Sequence, residues 1–132
     1  MQTHYLPERQ ASPFFCGETT EALLLGESMQ TELGFRLPVW VSRAVFELCI
    51  DWSDEDNRRK RTCQDIEGRL WDVTYMARLS AQNHSESEGA DYSVHVVPRP
   101  GKAHTPRSVQ LRISIQQEID HAHFLIALPW ED

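Results

Sequence analysis

In the last third of the chain, apolar and polar residues alternate. Val109, Leu111, Ile113 and Ile115 are separated by Gln110, Arg112 and Ser114, with Gln116 following. That period of two is the signature of an antiparallel strand with one buried face. Tyr92 to Val97 alternates in the same way, and Phe124, Ile126 and Leu128 repeat the pattern in a third strand. The connection from Pro98 to Pro106 contains three prolines, which cannot donate to a ladder, so it reads as a loop. The three strands predict an antiparallel meander.

Further upstream the period changes. Val45, Leu48, Cys49 and Trp52 fall at i, i+3, i+4 and i+7, one stripe of a helix from Arg43 to about Trp52, with Ser42 as its N-cap. Val73, Met76, Ala77 and Leu79 mark a second helix, Val73 to about Gln82, capped by Asp72. Residues 20–33 favour helix apart from Gly26, with Thr19 or Thr20 as cap and Gly34 placed to end the segment at positive φ. Pro38 biases the stretch Arg36 to Val41 toward an extended conformation. Thr62–Asp65 and Arg69–Trp71 flank the glycine-bearing turn Ile66-Glu67-Gly68, which predicts a short hairpin. Residues 1–18 read as an irregular arm pinned by Phe14 and Phe15, and Asn83 to Asp91 as a polar loop. The expected architecture is an α+β domain over residues 19–132. In it, a three-stranded antiparallel meander in the C-terminal third is covered by two main helices, with the short hairpin appended.

Composition limits what this domain can be. A chain of 132 residues suffices for one core without staples. Its 40% hydrophobic and 25% charged content excludes disorder throughout. The longest apolar run, Phe124 to Trp130, is strand-sized, so no membrane partner is expected. The N-terminus lacks a basic start followed by an apolar stretch. Cys16, Cys49 and Cys63 are an odd set without C-x-x-C spacing. Together these point to a reducing, cytoplasmic setting. The balance of 13 basic against 20 acidic residues gives −7, and both halves share the excess. Counterion release rewards cationic contacts, so the sign disfavours a nonspecific nucleic-acid binder.

Candidate chemistry is sparse. There is no G-x-S-x-G elbow, P-loop or dinucleotide fingerprint, and no cofactor is expected. His121-x-His123 has the spacing of two metal ligands, with His95 and His104 as conceivable partners. Zinc needs about three converging ligands, and surface histidines beside a turn are the plainer reading. Two charged patches remain. The acidic exit Asp51, Trp52, Asp54, Glu55 and Asp56, with the terminal Trp130, Glu131 and Asp132, has the make-up of a partner contact, aromatics inside a charged rim. Trp52 also continues a helix stripe, which favours the core. The basic residues Arg58, Arg59, Lys60 and Arg61, with Arg99, Lys102 and Arg107 from the proline-rich loop, could bind phosphate. They equally suit neutralising the acids beside them and solubilising a loop tip.

Three stretches, Gly34 to Val39, Ser42 to Phe46 and Cys49 to Asp56, together with Gln64-Asp65 and Gly68 to Val73, resemble a small uncharacterised domain family. Its members are carried by bacteriophages, plasmids and related mobile elements of actinobacteria and proteobacteria. The similarity continues weakly through Val97-Pro98-Arg99 and Thr105-Pro106-Arg107 to Leu128 to Asp132, and the G-R-L-W-D-V and W-x-D-E-D segments are its most specific parts. Two positions depart from the family pattern, Cys63 where an aromatic is usual and Phe46 where a tryptophan is. The resemblance implies a setting and no residue roles: small acidic proteins on mobile elements often bind and inhibit or redirect host machinery. The leading expectation is therefore a non-enzymatic protein-binding accessory factor, such as an anti-CRISPR-like or anti-restriction-like inhibitor, acting on a host or mobile-element protein complex through its acidic surface. A small nucleic-acid-associated regulator using loop 99–107 is the alternative, and a small metal-dependent hydrolase built on His121 and His123 is third. Whether the protein is a monomer or a dimer stays open.

Overall fold

The computed structural model describes residues 14–83 and 89–131. Most of the expected N-terminal arm, the middle of the polar loop and Asp132 lie outside the described residues. The protein is α+β, with four helices and a six-stranded mixed sheet among the described residues. Strands β1 (Phe15–Glu18), β2 (Ala22–Leu25) and β3 (Val39–Ser42) form one half, and β4 (Gly89–Val96), β5 (Arg107–Gln117) and β6 (Ala122–Ala127) the other. The order is β1-β2-β3-β6-β5-β4. All pairings are antiparallel except β3 with β6, which runs parallel in the register Val39↔Phe124, Trp40↔Leu125 and Val41↔Ile126.

The expected meander is therefore half of a larger sheet. The last three strands pair antiparallel in chain order, but β6 is an interior strand because β3 occupies its other side. Alternation places Tyr92, Val94, Leu111, Ile113, Phe124 and Ile126 on one face, all buried. That face is roofed by helix α4 (Ile66–Asn83), to which Tyr92 is tied by its hydroxyl donating to the Val73 carbonyl at 3.1 Å. Fully burying each aliphatic side chain there contributes about 1.5–3 kcal/mol.

Several local expectations are corrected by the structure. The helix expected from residue 20 begins only at α1 (Glu27–Leu33), because Ala22–Leu25 pairs on both sides as β2 and buries Leu23 and Leu25. Sheet contacts here override helix propensity. Thr19 consequently serves the β1–β2 turn, its hydroxyl accepting from the amides of Glu21 (3.1 Å) and Ala22 (3.0 Å). The arm's last four residues are β1, and Phe15 packs edge-on against Phe46 with ring centroids 5.7 Å apart.

Helix α2 (Arg43–Val45) begins at the expected Ser42 cap, whose hydroxyl accepts from the Val45 amide at 3.1 Å. It continues as a π-helical turn, Phe46–Ile50, closed by the Asp51 amide on the Phe46 carbonyl at 2.7 Å, and so stops two residues short of Trp52. The acidic exit, expected to follow the end of a helix, is itself helical. It is helix α3 (Asp54–Lys60), opened by a capping box between Ser53 and Asp56. Acids fill its first turn and bases its last, each complementing the helix dipole. Finally, no hairpin forms at 66–68. Asp65 caps α4 by accepting the Gly68 amide at 2.8 Å, which leaves Asp72 exposed within the helix rather than at its start.

Candidate functional site

Helix α3 and the proline-rich loop are joined by a knot of charges. Arg99 donates from Nη1 to Asp51 Oδ2 at 2.6 Å and from Nε to Asp56 Oδ2 at 2.9 Å. Arg59 holds the other Asp56 oxygen at 3.0 Å and also reaches the carbonyls of Arg99 and Gly101, both at 2.8 Å. Lys60, only 2% exposed, donates to the carbonyls of Pro98 (2.5 Å) and Ala103 (2.7 Å). A loop whose prolines cannot join a ladder still needs its carbonyls satisfied, and these two side chains do it. Burial pushes the Asp56 carboxyl up. The hydrogen bonds from Arg59, Ser53 and Arg99, with the charge of Arg99, outweigh that and bring it down to about 2. Burial, reinforced by the charge of Arg59, pushes the Lys60 ammonium below the ordinary lysine value.

Arg69 is a second hub. It lies on the buried stripe of α4 with Leu70, Val73 and Ala77 and is 3% exposed. Its guanidinium donates to the Ile50 carbonyl (3.2 Å) at the end of the π turn, to Val97 (2.9 Å) and to Gln64 Oε1 (2.6 Å). It also sits over the Trp52 ring at 4.1 Å from the centroid, a cation–π stack. Trp52 completes its bonding by donating from Nε1 to Asn57 Oδ1 at 2.8 Å. Burial brings Arg69 down to about 10, still charged at neutral pH. Burial likewise pushes the Cys49 thiol up to about 11 against the opposing charge of Arg69, so it stays protonated and unreactive at neutral pH.

The residues expected to contact a partner thus divide. Asp51, Trp52 and Asp56 face inward and hold the fold together, which corrects their assignment to an exposed patch. Asp54 and Glu55 are exposed, with Glu55 paired to Arg58 at 2.6 Å. Among the expected phosphate binders, Lys60 is buried and Arg59 and Arg99 are ion-paired, whereas Arg58, Arg61, Lys102 and Arg107 are exposed. The acidic and basic patches are largely two sides of one internal network. His95 lies opposite Ser108 at the start of β5, whereas His121 and His123 follow its far end. At about 3.4 Å per residue, the eight residue steps of β5 from Ser108 to Gln116, the partner of His123, span roughly 27 Å, so His95 cannot join a site with them.

Trp130 stands apart from this network. It is 73% exposed, yet the turn that carries it is tightly fixed. The Glu131 amide donates to the Leu128 carbonyl at 3.0 Å, and Glu131 Oε2 accepts both the Leu128 amide (2.7 Å) and the Ser42 hydroxyl (2.8 Å). The Ser42 hydroxyl therefore caps α2 and anchors the indole-bearing turn at once. Along the same helix, Ala44, Glu47 and Leu48 line an open groove of about 550 Å³ whose other wall is Arg59, Arg99 and Pro100. Ala44 is two residues from Ser42 and Leu48 six, so turn and groove attach to one short helical element of about 12 Å.

Sequence reasoning missed Ser42, Arg69 and Leu48 as site-forming residues. For Arg69 a signal was present, because it falls on the stripe of Ile66, Leu70 and Val73. Compared with protein-family models, curated proteins and solved structures, the chain matches none of them.

Proposed function

We propose that this protein is a non-enzymatic accessory factor of a phage or plasmid that acts by binding a host protein complex, a bacterial defence complex being the favoured class. The observation that carries the reading is the exposed Trp130 on a turn locked by Glu131 and Ser42. Tryptophan is the residue type most enriched in binding hot spots, where truncation costs about 2 kcal/mol or more. An indole carried on a turn already fixed in its backbone avoids the cost of ordering that turn on binding. The neighbouring groove, apolar along Ala44, Leu48 and Pro100 and charged at Glu47, Arg59 and Arg99, suits a polypeptide segment beside that anchor. The mobile-element resemblance supplies the setting.

The acidic contribution narrows to Asp54 and Glu55, exposed charges that steer encounter more than they anchor it. A nucleic-acid role is disfavoured because Arg59, Lys60 and Arg99 already donate to the protein's own carbonyls and carboxylates. The test is capture from a bacterial host lysate with wild type, Trp130→Ala, and the double charge reversal Asp54→Lys with Glu55→Lys. Wild type should retain a protein that Trp130→Ala loses while its circular dichroism and melting temperature stay unchanged, and that the charge reversal retains more weakly. Equal capture by wild type and Trp130→Ala would refute the reading.

A further inference from the structure

The β5–β6 hairpin carries a cluster that the proposed protein contact does not use. The strand register runs Gln116↔His123 and Gln117↔Ala122, and the Glu118 amide donates to the His121 carbonyl at 2.8 Å. Glu118 and His121 are therefore opposed across the end of the ladder, with Ile119 and Asp120 as a two-residue loop. Strand alternation puts His121 and His123 on one face, away from the buried Phe124 and Ile126. Directly opposed residues on an antiparallel pair bring their Cβ atoms within about 5.5 Å, which adds Glu118 to the same face.

We infer that Glu118, His121 and His123 form a binding site for a divalent transition-metal ion of the zinc class. One ligand atom from each of the three lies within 4.8 Å of the other two. His121 Nε2 and Glu118 Oε1 are already 2.8 Å apart. Two atoms each about 2.1 Å from a shared zinc ion stand roughly 3.4 Å apart, so rotation of side chains on a fixed hairpin closes the remaining distance. Glu118 and His121 are paired with each other and exposed to solvent, while His123 rests edge-on against Trp40 with ring centroids 6.5 Å apart. Two imidazoles and one carboxylate are a borderline donor set, which selects zinc, cobalt, nickel or copper over magnesium and calcium. Three ligands on an open face leave the remaining coordination positions to water or to a donor from another molecule.

The probe is zinc alone, titrated into the full chain by calorimetry, with thermal unfolding recorded in parallel. Wild type should take up one saturable equivalent and melt at a higher temperature, because an ion bound only by the folded state stabilises it. His121→Ala and His123→Ala should each weaken uptake by at least about 10- to 100-fold and abolish the thermal shift, with Glu118→Gln weakening it less. His95→Ala and His104→Ala should bind as wild type does. Acidification should release the ion, since protons compete for the imidazole nitrogens. The inference is overturned if wild type shows no saturable uptake at micromolar zinc, or if uptake and thermal shift survive in the His121→Ala, His123→Ala double variant.

Discussion

Asp56→Ala removes four contacts at once: the Ser53 amide and hydroxyl, each at 2.9 Å, Arg59 at 3.0 Å and Arg99 at 2.9 Å. Losing its half of the capping box costs about 1 kcal/mol. Arg59 is exposed, and its ion pair is worth at most about 1 kcal/mol. Arg99 is one-third exposed and keeps Asp51 as a partner, which places its share at about 1–2 kcal/mol. The sum is about 2–4 kcal/mol, a large fraction of the roughly 5–15 kcal/mol that stabilises a domain. Titration gives a second route to the same figure. The Asp56 carboxyl falls from 3.8 to about 2 on folding, a linkage of about 2 kcal/mol. Because the folded value is the lower one, this stability is fully present above pH 4 and is lost as the pH falls through about 2. Urea unfolding followed by tryptophan fluorescence measures both. Asp56→Ala should lower the midpoint by about 1–2 M, and Asp56→Asn should lose its share of the acid sensitivity that wild type shows. A loss below about 1 kcal/mol at neutral pH, or an unchanged acid limb in Asp56→Asn, would refute the structural role of this carboxylate.

Two further substitutions test other joints. Ser42→Ala removes both the cap on Val45 and the hydroxyl on Glu131, and should cost about 1–2 kcal/mol in urea unfolding while increasing the mobility of Trp130 seen in the NMR relaxation of its indole N–H. A variant as stable and as rigid as wild type would show that the turn is held by other contacts. Gly34 ends α1 at φ 87° with its amide on the carbonyls of Gln30 and Thr31. An added Cβ would meet only the Arg78 guanidinium at 3.4 Å, so Gly34→Ala should cost about 1 kcal/mol from backbone strain, measured as a lowered melting temperature.

How far the sequence could be read depended on the range of the forces that decide each element. The strands of the C-terminal third alternate cleanly, and their pairing is local, so β5 and β6 were legible. The parallel joint of β3 to β6 was not, because it links Val39–Val41 to Phe124–Ile126 across most of the chain. Ala22–Leu25 has helix-favouring composition and becomes a strand only because β1 and β3 flank it. Gly68 suggested a turn, yet at the third position of a capped helix it is tolerated. For the site, the alternation of acids and bases from Asp51 to Arg61 looked like two surfaces. Which charges were buried depended on loop 98–103 folding back over α3, a contact some forty residues away in sequence. Trp130 and Glu131 were legible as residues of interest. The lock that makes Glu131 a positioning group is bonded to Ser42, 89 residues earlier.

Contact through Trp130 is tested most directly by placing a photo-crosslinking phenylalanine analogue at position 130 and, separately, at Ile119, which is 99% exposed at the far hairpin. Irradiation in a host lysate should yield a discrete adduct with one protein from position 130 and none of that adduct from position 119. Absence of an adduct at 130, or the same adduct from both positions, would contradict binding through Trp130 on its locked turn.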